Sequence, residues 1–332
     1  MKEVAITLLR SFYKTSGHKS NLADLNMSLG VAVPRIDYFL SYYSLISGKK
    51  YSDLIGMFFK DGLKNILLEY YKQGYLNKFG STVNGINYIC RFDEIELDYY
   101  WIPKNACTYL KRNFSYLCDK GFTKTIKMHQ FHETIQAKYG LTMKQYLSNQ
   151  EKQFKSLVVV REPIERFVSC YVDKFAKPIL IGKNFEPFIV DIILNIYSLY
   201  QIKADPRKRS ISFSEFMMFV LQESPFSQNE HWKPQSKFLP SHGVDIIIKQ
   251  SSMEDYLLQN HLFAEEVSKN KANRSVGVKY SPDQYTGELA ELLPNEYSIE
   301  KINDYSQYVT HSARSSLSKF YEDDYKLYCS AE

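Results

Sequence analysis

Glycine is scarce in this sequence, with 14 in 332 residues. A fold built on glycine-rich turns is therefore not expected, and the phosphate-binding loop G-x-x-x-x-G-K-[ST] does not occur anywhere in the chain. Long hydrophobic runs are also missing. The longest covers residues 188–200, contains Asp191 and Asn195, and is shorter than the roughly 20 apolar residues that cross a bilayer. The sequence thus predicts no transmembrane segment.

Cysteine is rare and poorly spaced for structural chemistry. The five cysteines include no C-x-x-C pair, and their odd number and wide spacing fit neither a disulfide framework nor a zinc site. Near the start, the largely apolar run between Glu3 and Arg10 is too short for a secretory leader. We therefore expect no metal and a reduced, cytoplasmic setting, with a peripheral position at the inner membrane face left open.

A large excess of one charge is absent too, because 42 Lys and Arg against 37 Asp and Glu give a formal net charge of +5. This mild basic bias suits an anionic ligand and does not indicate a nucleic-acid partner. The composition is otherwise that of an ordinary globular chain, 44% hydrophobic and 24% charged. Residues 203–210 (KADPRKRS) read as an exposed basic loop.

The pattern of the chain changes at about residue 85. Residues 1–85 predict a helical N-terminal extension, since apolar residues between Ser52 and Gly74 keep near-helical spacing. It contains no constellation of reactive side chains, so we expect packing or oligomerisation there. Residues 86–332 alternate short apolar strands with helical stretches, which is typical of an α/β fold with a mostly parallel sheet.

Two strand–loop–helix units contain the candidate chemistry. The first is a strand over 98–102, a turn over 103–108 and a helix over 109–118. The second is a buried strand over 156–160, a turn at Arg-Glu-Pro and a helix over 164–175. Ligands of parallel sheets bind at the carboxyl ends of strands, which is where both loops are expected.

The first loop has residue types that hold an anion. Lys104 supplies positive charge ahead of a helix N-terminus, where backbone N–H groups attract phosphate or sulfate, and Thr108 adds a hydroxyl. Asn105 precedes Ala106 and Cys107, which are small enough to let the backbone approach the anion. On spacing alone, an ordinary surface lysine is the competing interpretation.

The second loop adds a guanidinium and a hydroxyl. Arg161 follows its strand directly, and Ser169 lies eight residues later, a little over two helical turns on. Arginine offers a fork of donors to a dianionic phosphate. The alternative is that Arg161 pairs at the surface with Glu162 or Glu165 and that Ser169 fills the interior.

Together these segments resemble the PAPS-dependent sulfotransferases. Residues 102–112 (IPKNACTYLKR) are similar to the 5′-phosphosulfate loop of the chondroitin and dermatan 4-O type of carbohydrate sulfotransferase, and residues 158–175 (VVVREPIERFVSCYVDKF) resemble the 3′-phosphate motif. Residues 229–235 (NEHWKPQ) are similar to a His-Trp-x-Pro signature. Residues 271–275 (KANRS) resemble an Asn-x-Ser/Thr segment, and residues 321–328 (YEDDYKLY) a closing Tyr-x-x-Asp-Tyr helix.

The resemblance implies a P-loop-like three-layer α/β fold and transfer of a sulfuryl group from 3′-phosphoadenosine 5′-phosphosulfate (PAPS), which leaves as adenosine 3′,5′-bisphosphate. It implies that residues 104–108 bind the phosphosulfate, with Lys104 catalytic, and that Arg161, Ser169 and Arg274 bind the 3′-phosphate. The implied acceptor is a hydroxyl of a cell-surface glycan or its precursor. Acidic and lipid-linked acceptors both stay open, as does an oligomer formed through the N-terminal helices.

The resemblance implies that a His or a Glu acts as the general base that removes the acceptor's proton. His231 in the His-Trp signature and His129 between the two cofactor motifs are candidates, and His132 in the same MHQFH segment is another. A structural histidine is the competing interpretation for each. Trp232 suits either a sugar-stacking position or the core.

The sequence also departs from the family. Glu162 stands where Asp or Asn is usual, and the cysteines that follow His-Trp-x-Pro-Gln and the N-terminal anchor of the Golgi enzymes are missing. These differences predict a soluble relative, bacterial in origin. Two rival functions remain: a P-loop-type nucleotide kinase or phosphotransferase, and a catalytically inactive glycan- or nucleotide-binding module of the same fold.

Overall fold

The computed structural model describes residues 88–126, 130–141, 154–223, 228–239, 243–268, 280 and 284–332. The N-terminal extension of residues 1–85 lies outside the described residues, as do His129 and Arg274. The division of the chain at residue 85 and the oligomerisation role of the extension therefore stay predictions.

Four strands form a mixed sheet in the order β1 (Ile89–Phe92), β2 (Leu97–Tyr100), β3 (Lys155–Val160), β4 (Ile246–Lys249). The β1–β2 pair is antiparallel, whereas β2–β3 and β3–β4 are parallel. The last four residues of β3 are all buried, as expected for a central parallel strand with a continuous apolar run. The predicted α/β fold is confirmed, with an antiparallel hairpin at one edge of the sheet.

Helices surround the sheet. In chain order the α-helices of the described residues are α1 (Cys107–Cys118), α2 (Lys120–Thr125), α3 (Phe131–Tyr139), α4 (Pro163–Tyr171), α5 (Lys177–Leu180), α6 (Pro187–Leu199), α7 (Pro206–Arg209), α8 (Phe213–Gln222), α9 (Met253–Gln259), α10 (Glu265–Ser268), α11 (His311–Phe320) and α12 (Glu322–Cys329). Short 3-10 helices occur at Asp93–Ile95, Gln235–Phe238, Pro294–Glu296, Ile299–Asn303 and Tyr305–Tyr308. Within the described ranges, no helix combines the length and the apolar character that crossing a membrane requires.

Two clusters of buried apolar side chains support this arrangement. One joins the sheet to α1, α3 and α9, and in it the rings of Phe92 and Tyr99 pack on Phe114 with centroids 5.5 and 5.3 Å apart. The other joins α4, α6, α8 and α11, where Phe167 stacks on Phe216 at 4.9 Å. The loops that leave β2 and β3 therefore start from well-packed strands and lead into well-packed helices.

The helix after the second loop differs from the predicted continuous helix over 164–175. It ends as an α-helix at Tyr171, continues through a π turn at Val172–Ala176, and resumes as α5. A π turn inserts an extra residue into a helix and is common at functional sites. The spacing of apolar residues does not reveal it, because Val172, Phe175 and Ala176 are buried in the π turn as they would be in a helix.

The first helix begins at Cys107, two residues earlier than predicted. The turn is shorter because two residues other than glycine adopt left-handed backbone, Lys104 at φ 73° and Ala106 at φ 55°. Such conformations cost about 1–3 kcal/mol each and concentrate at functional sites.

Candidate functional site

The loops after β2 and β3 lie side by side. A guanidinium nitrogen of Arg161 is 3.4 Å from the carbonyl oxygen of Lys104, to which it donates. The two strands are parallel neighbours, so their carboxyl ends reach the same edge of the sheet. The structure thus brings Lys104 and Arg161 into one small region.

The Lys104 side chain is mostly covered, and its ammonium forms an ion pair with Asp173 in the π turn. Partial burial acts to raise the pKa of Asp173, but the ammonium groups of Lys104, Lys174 and Lys177 lower it overall. Asp173 therefore stays ionised and neutralises Lys104.

The start of α1 is open to an anion. Its N-cap residue, Ala106, has no side chain that accepts from the first turn. Helix N–H groups without such a partner attract phosphate and sulfate oxygens. The hydroxyl of Thr108 on this first turn lies 3.0 Å from Nε2 of His132, so the structure brings together the loop after β2 and one candidate base.

Asn105 differs from its four neighbours in the loop. Its side chain is buried, and its Nδ2 donates to the carbonyl oxygen of Val159 at 2.9 Å and to Gln235 Oε1. Its backbone N–H donates to the carbonyl of Ile102. Asn105 thus ties the loop to β3 from the inside, and its side chain does not face the open end of α1.

Arg161 is buried rather than at the surface, with 5% of the residue exposed. It does pair with Glu165, at 2.8 Å, as the competing interpretation had it, but the pair is largely covered. Its Nε–H has no acceptor among the described residues. Ser169 lies on α4, the helix that begins two residues after Arg161, and is 7% exposed. A buried guanidinium with an unused donor is suited to a second anionic group.

Gln235 joins the two loops, and sequence reasoning did not single it out. Its Oε1 accepts from the backbone N–H of Arg161 at 3.0 Å and from Asn105, and its Nε2 donates to the carbonyl of Arg161 at 2.8 Å. The available signal was its place in the NEHWKPQ segment directly after Pro234. Its contacts hold the two loops next to each other.

Arg166 is a second residue that sequence reasoning missed. Its guanidinium is buried and donates to three backbone carbonyls, those of Pro103 at 3.0 Å, Lys233 at 2.9 Å and Glu230 at 3.1 Å. One side chain therefore connects α4 to the first loop and to the NEHWKPQ segment.

We expect Arg166→Met to lower the free energy of unfolding by about 3–5 kcal/mol, because it removes the donor of three carbonyls, one buried and two partly buried, at once. Urea denaturation measures this change. Arg209→Met is the matched control: its pair with Glu215 at 2.7 Å is partly exposed and is expected to contribute about 1 kcal/mol or less. Equal losses in the two variants would contradict the connecting role of Arg166.

The closing Tyr-x-x-Asp-Tyr segment stabilises the site through contacts with the backbone of residues 232–236. The Tyr321 hydroxyl donates to the carbonyl of Trp232 at 2.6 Å. The buried carboxylate of Asp324 accepts from the backbone N–H groups of Gln235 and Ser236 at 2.7 and 2.8 Å. These contacts give the segment a structural role.

Glu162 fills the position where the family usually has Asp or Asn. Its carboxylate accepts from the N–H of Glu165 at 2.6 Å and so caps α4, and it also accepts from the Tyr325 hydroxyl at 2.5 Å. The longer side chain therefore still caps the helix, and Arg161 beside it keeps its place.

The ring of His231 has a defined tautomer. Asn229 Oδ1 accepts the backbone N–H of His231 at 3.0 Å and lies 2.7 Å from its Nδ1. Since this oxygen only accepts, Nδ1 carries the proton and Nε2 has the free lone pair. Burial, together with the ammonium groups of Lys174 and Lys104, lowers the pKa of His231 well below its usual value. The ring is thus neutral at pH 7.

His132 is neutral as well. Burial, and then the charges of Lys111 and Lys174, lower its pKa to about 4. The Lys111 ammonium itself is buried over the face of Trp101, 3.2 Å from the ring centroid. Two of the candidate bases, His132 and His231, are therefore unprotonated at pH 7.

Trp232 belongs to the core. It is fully buried, packs edge-on against Phe216 at 5.3 Å, and donates from its indole nitrogen to Glu223 at 2.5 Å. Of the two interpretations of this residue, sugar stacking is wrong, because no face of the ring is accessible. Among the described residues, no group of three or more His, Cys, Asp and Glu side chains is placed to hold a metal ion.

Comparison with known proteins gives a family match over most of the chain. The family model described as "Sulfotransferase family" matches residues 88–329. Carbohydrate sulfotransferase 11 of Mus musculus is 28% identical over 196 residues, 54% of each chain. Carbohydrate sulfotransferase 14 of Homo sapiens is 24% identical over 151 residues, 45% of this chain and 38% of that protein.

Carbohydrate sulfotransferase 8 of Homo sapiens is 28% identical over 168 residues, 47% of this chain and 38% of that protein. The chain thus spans about half the length, or less, of these curated relatives. No solved structure gives a significant match.

Proposed function

This chain belongs to the sulfotransferase family, and on that premise we propose that it transfers a sulfuryl group from PAPS to a hydroxyl of a carbohydrate by in-line displacement. The observation that carries the proposal is the meeting of two cationic loops at one sheet edge, where Arg161 donates to the carbonyl of Lys104. PAPS has two anionic ends on one nucleotide, and each loop suits one of them. The carbohydrate acceptor is proposed from the names of the relatives.

The residues present fit such a donor. The uncapped start of α1, the Lys104 ammonium and the Thr108 hydroxyl suit the phosphosulfate, and the unused Nε–H of buried Arg161 with Ser169 suits the 3′-phosphate. PAPS supplies a sulfuryl group already activated by a phosphate leaving group. We propose Arg274 as a further 3′-phosphate contact, although it lies outside the described residues.

Lys104 is proposed to neutralise the leaving group. As the bond from sulfur to the phosphate oxygen breaks, negative charge develops on that oxygen, as in loose phosphoryl transfer. A fixed ammonium and helix N–H groups stabilise this charge most when they are already oriented. Lys104 is held in place by its left-handed backbone and its ion pair with Asp173.

His231 is the proposed general base. The acceptor oxygen forms its bond to sulfur while its proton passes to Nε2 of His231, the nitrogen that the Asn229 contact leaves unprotonated. Burial, and then the charges of Lys174 and Lys104, lower the pKa of His231, so the ring is neutral and able to accept that proton at pH 7. His132 and His129 stay proposed alternatives, the former on the strength of its contact with Thr108.

We expect Asn229→Asp to move the acidic limb of the kcat/KM–pH profile to higher pH. In the native chain that limb lies below pH 6.5, because the pKa of His231 is lowered. The carboxylate that this substitution introduces accepts from Nδ1–H, stabilises the imidazolium and so raises the pKa of His231. Protonation then removes the base at higher pH.

Asn229→Ala is the companion variant. It no longer fixes the proton on Nδ1 of His231, so we expect the rate to fall about tenfold while the acidic limb of the profile does not move to higher pH. A profile that Asn229→Asp leaves in place would exclude His231 as the base and favour one of the other histidines.

The proposed setting is a reducing compartment, the cytoplasm. All five cysteines are unpaired, and Cys90 and Cys170 are buried. Acidic or lipid-linked glycan precursors assembled there are the acceptors we propose. Residues 86–332 are proposed as the sulfotransferase domain.

The test is transfer itself. The purified chain is incubated with PAPS and with glycan fractions from its native cell, and products are detected by the mass of an added sulfate group. We expect sulfated glycans that depend on PAPS and form without Mg²⁺. Phosphorylated products that depend on Mg·ATP would point instead to a kinase, and nucleotide binding without any transfer would point to an inactive binding module.

A further inference from the structure

A cleft of about 270 Å³ opens beside the Lys104–Asp173 ion pair. It is bordered by the π turn, by α5, by the connection to α6 and by the first residues of α6. Three lysines line it, Lys174, Lys177 and Lys183, together with the carboxylates of Asp173 and Glu186. Because Asp173 lines the cleft and pairs with Lys104, the cleft is a candidate binding site for the acceptor of the sulfuryl group.

The charges that line the cleft do not cancel. Both carboxylates already have a cation, because Asp173 pairs with Lys104 and the two oxygens of Glu186 each lie 3.1 Å from the Lys174 ammonium. Lys177 and Lys183 are exposed and form no ion pair within the described residues. Two positive charges are thus left for a ligand.

One side of the cleft is connected to the proposed base through Phe188. The Lys174 ammonium lies 5.5 Å from the ring centroid of Phe188, and that ring stacks on His231 at 5.8 Å. Phe188 is on the first turn of α6, beside Ile189, which lines the cleft. Asp173 therefore joins the cleft to Lys104 directly, and Lys174 is separated from His231 by the ring of Phe188.

The cleft has apolar surface as well as charge. Pro178, Ile181 and Ile189 line it, and Ile181 is exposed. Sites that bind small molecules combine apolar lining with a few polar groups that fix orientation. A sugar presents both surfaces, C–H groups on its faces and polar groups at its edge.

We propose that this cleft binds the acceptor and that Lys177 and Lys183 select an acceptor with an anionic group, a carboxylate or a sulfate ester, on the sugar beside the reacting one. This inference rests on the proposed function. It assigns acceptor selection to the segment between α4 and α6, and not to the basic segment at residues 203–210, which contains α7.

The experiment measures binding separately from transfer. The probes are a hyaluronan tetrasaccharide, which has carboxylates, its neutral methyl ester, and a sulfated cello-oligosaccharide. Each is titrated into the full chain with adenosine 3′,5′-bisphosphate present. The variant is Lys177→Glu with Lys183→Glu, and the matched control is Lys203→Glu with Lys208→Glu, which reverses two exposed charges on the other segment.

We expect the cleft variant to weaken binding of the anionic probes about tenfold or more, through lost attraction and added repulsion between exposed charges. Binding of the methyl ester should change less than about twofold, and the control variant should match the native chain. The carboxylate and sulfate probes distinguish the two sources of charge.

An equal loss for the neutral ester, or the same loss in the control variant, would overturn the proposal. A native chain that binds the anionic probes through these lysines and transfers no sulfate to any acceptor would overturn the proposed function and leave the cleft assignment standing.

Discussion

Replacing Lys104 with alanine is expected to lower the rate of sulfate transfer about a hundredfold or more. The loss of one oriented donor to developing charge typically costs this much. The other lysine of the first loop and α1, Lys111, is buried over the ring of Trp101, so its ammonium does not replace that of Lys104. The effect should fall mainly on kcat, because the charge develops in the transition state.

The fold should tolerate this change. The Lys104 partner, Asp173, is about half exposed and lies near Lys174 and Lys177, so its carboxylate keeps water and other cations after the substitution. The control is Lys138→Ala, which removes another lysine from an ion pair, with Asp119 at 2.9 Å. Equal rates in the two variants would show that Lys104 has no part in the reaction.

Replacing Arg161 with glutamine is expected to weaken binding of adenosine 3′,5′-bisphosphate by about 10- to 150-fold. A hydrogen bond to a charged group contributes about 1.5–3 kcal/mol, and Arg161 is buried with a donor left over. The glutamine amide can still donate to a nearby carbonyl, so the loop should keep its position through Gln235.

Calorimetric titration with two nucleotides isolates the 3′-phosphate. Adenosine 5′-monophosphate lacks that group, so its affinity should be nearly the same for the native chain and for Arg161→Gln. Ser169→Ala, which removes one neutral hydroxyl, is expected to show a smaller loss in the same direction, a few-fold. If both nucleotides lose affinity equally, Arg161 supports the fold and does not bind the 3′-phosphate.

The parts of the site that are local in sequence could be predicted from it. Arg161 directly follows one buried strand, Lys104 comes four residues after the end of another, and Glu162 and Pro163 mark the start of a helix. The pattern therefore placed both loops at one sheet edge. The short apolar and aromatic runs of β2 and β3 were sufficient for that step.

The remaining parts depend on contacts between distant segments. Gln235 binds Asn105 and Arg161 across 130 and 74 residues, and no periodic pattern encodes such a pairing. The inward turn of Asn105 follows from that contact. The π turn that presents Asp173 to Lys104 escaped prediction because the buried pattern continues through it.

His231 shows a third kind of limit. Its motif suggested a base, but its pKa depends first on burial and then on the charges of Lys174 and Lys104, which are 57 and 127 residues away in sequence. Its tautomer depends on Asn229, two residues earlier. Only the folded arrangement shows that the ring is neutral and which nitrogen is free.

The central claim is that the loops at Lys104 and Arg161 form a single nucleotide site. A crystal structure of the chain with adenosine 3′,5′-bisphosphate, grown without Mg²⁺, tests it most directly. The account predicts one nucleotide with its 5′-phosphate at Lys104 and the start of α1 and its 3′-phosphate at Arg161. A nucleotide bound elsewhere, or one whose two phosphates both contact the same loop, would contradict it.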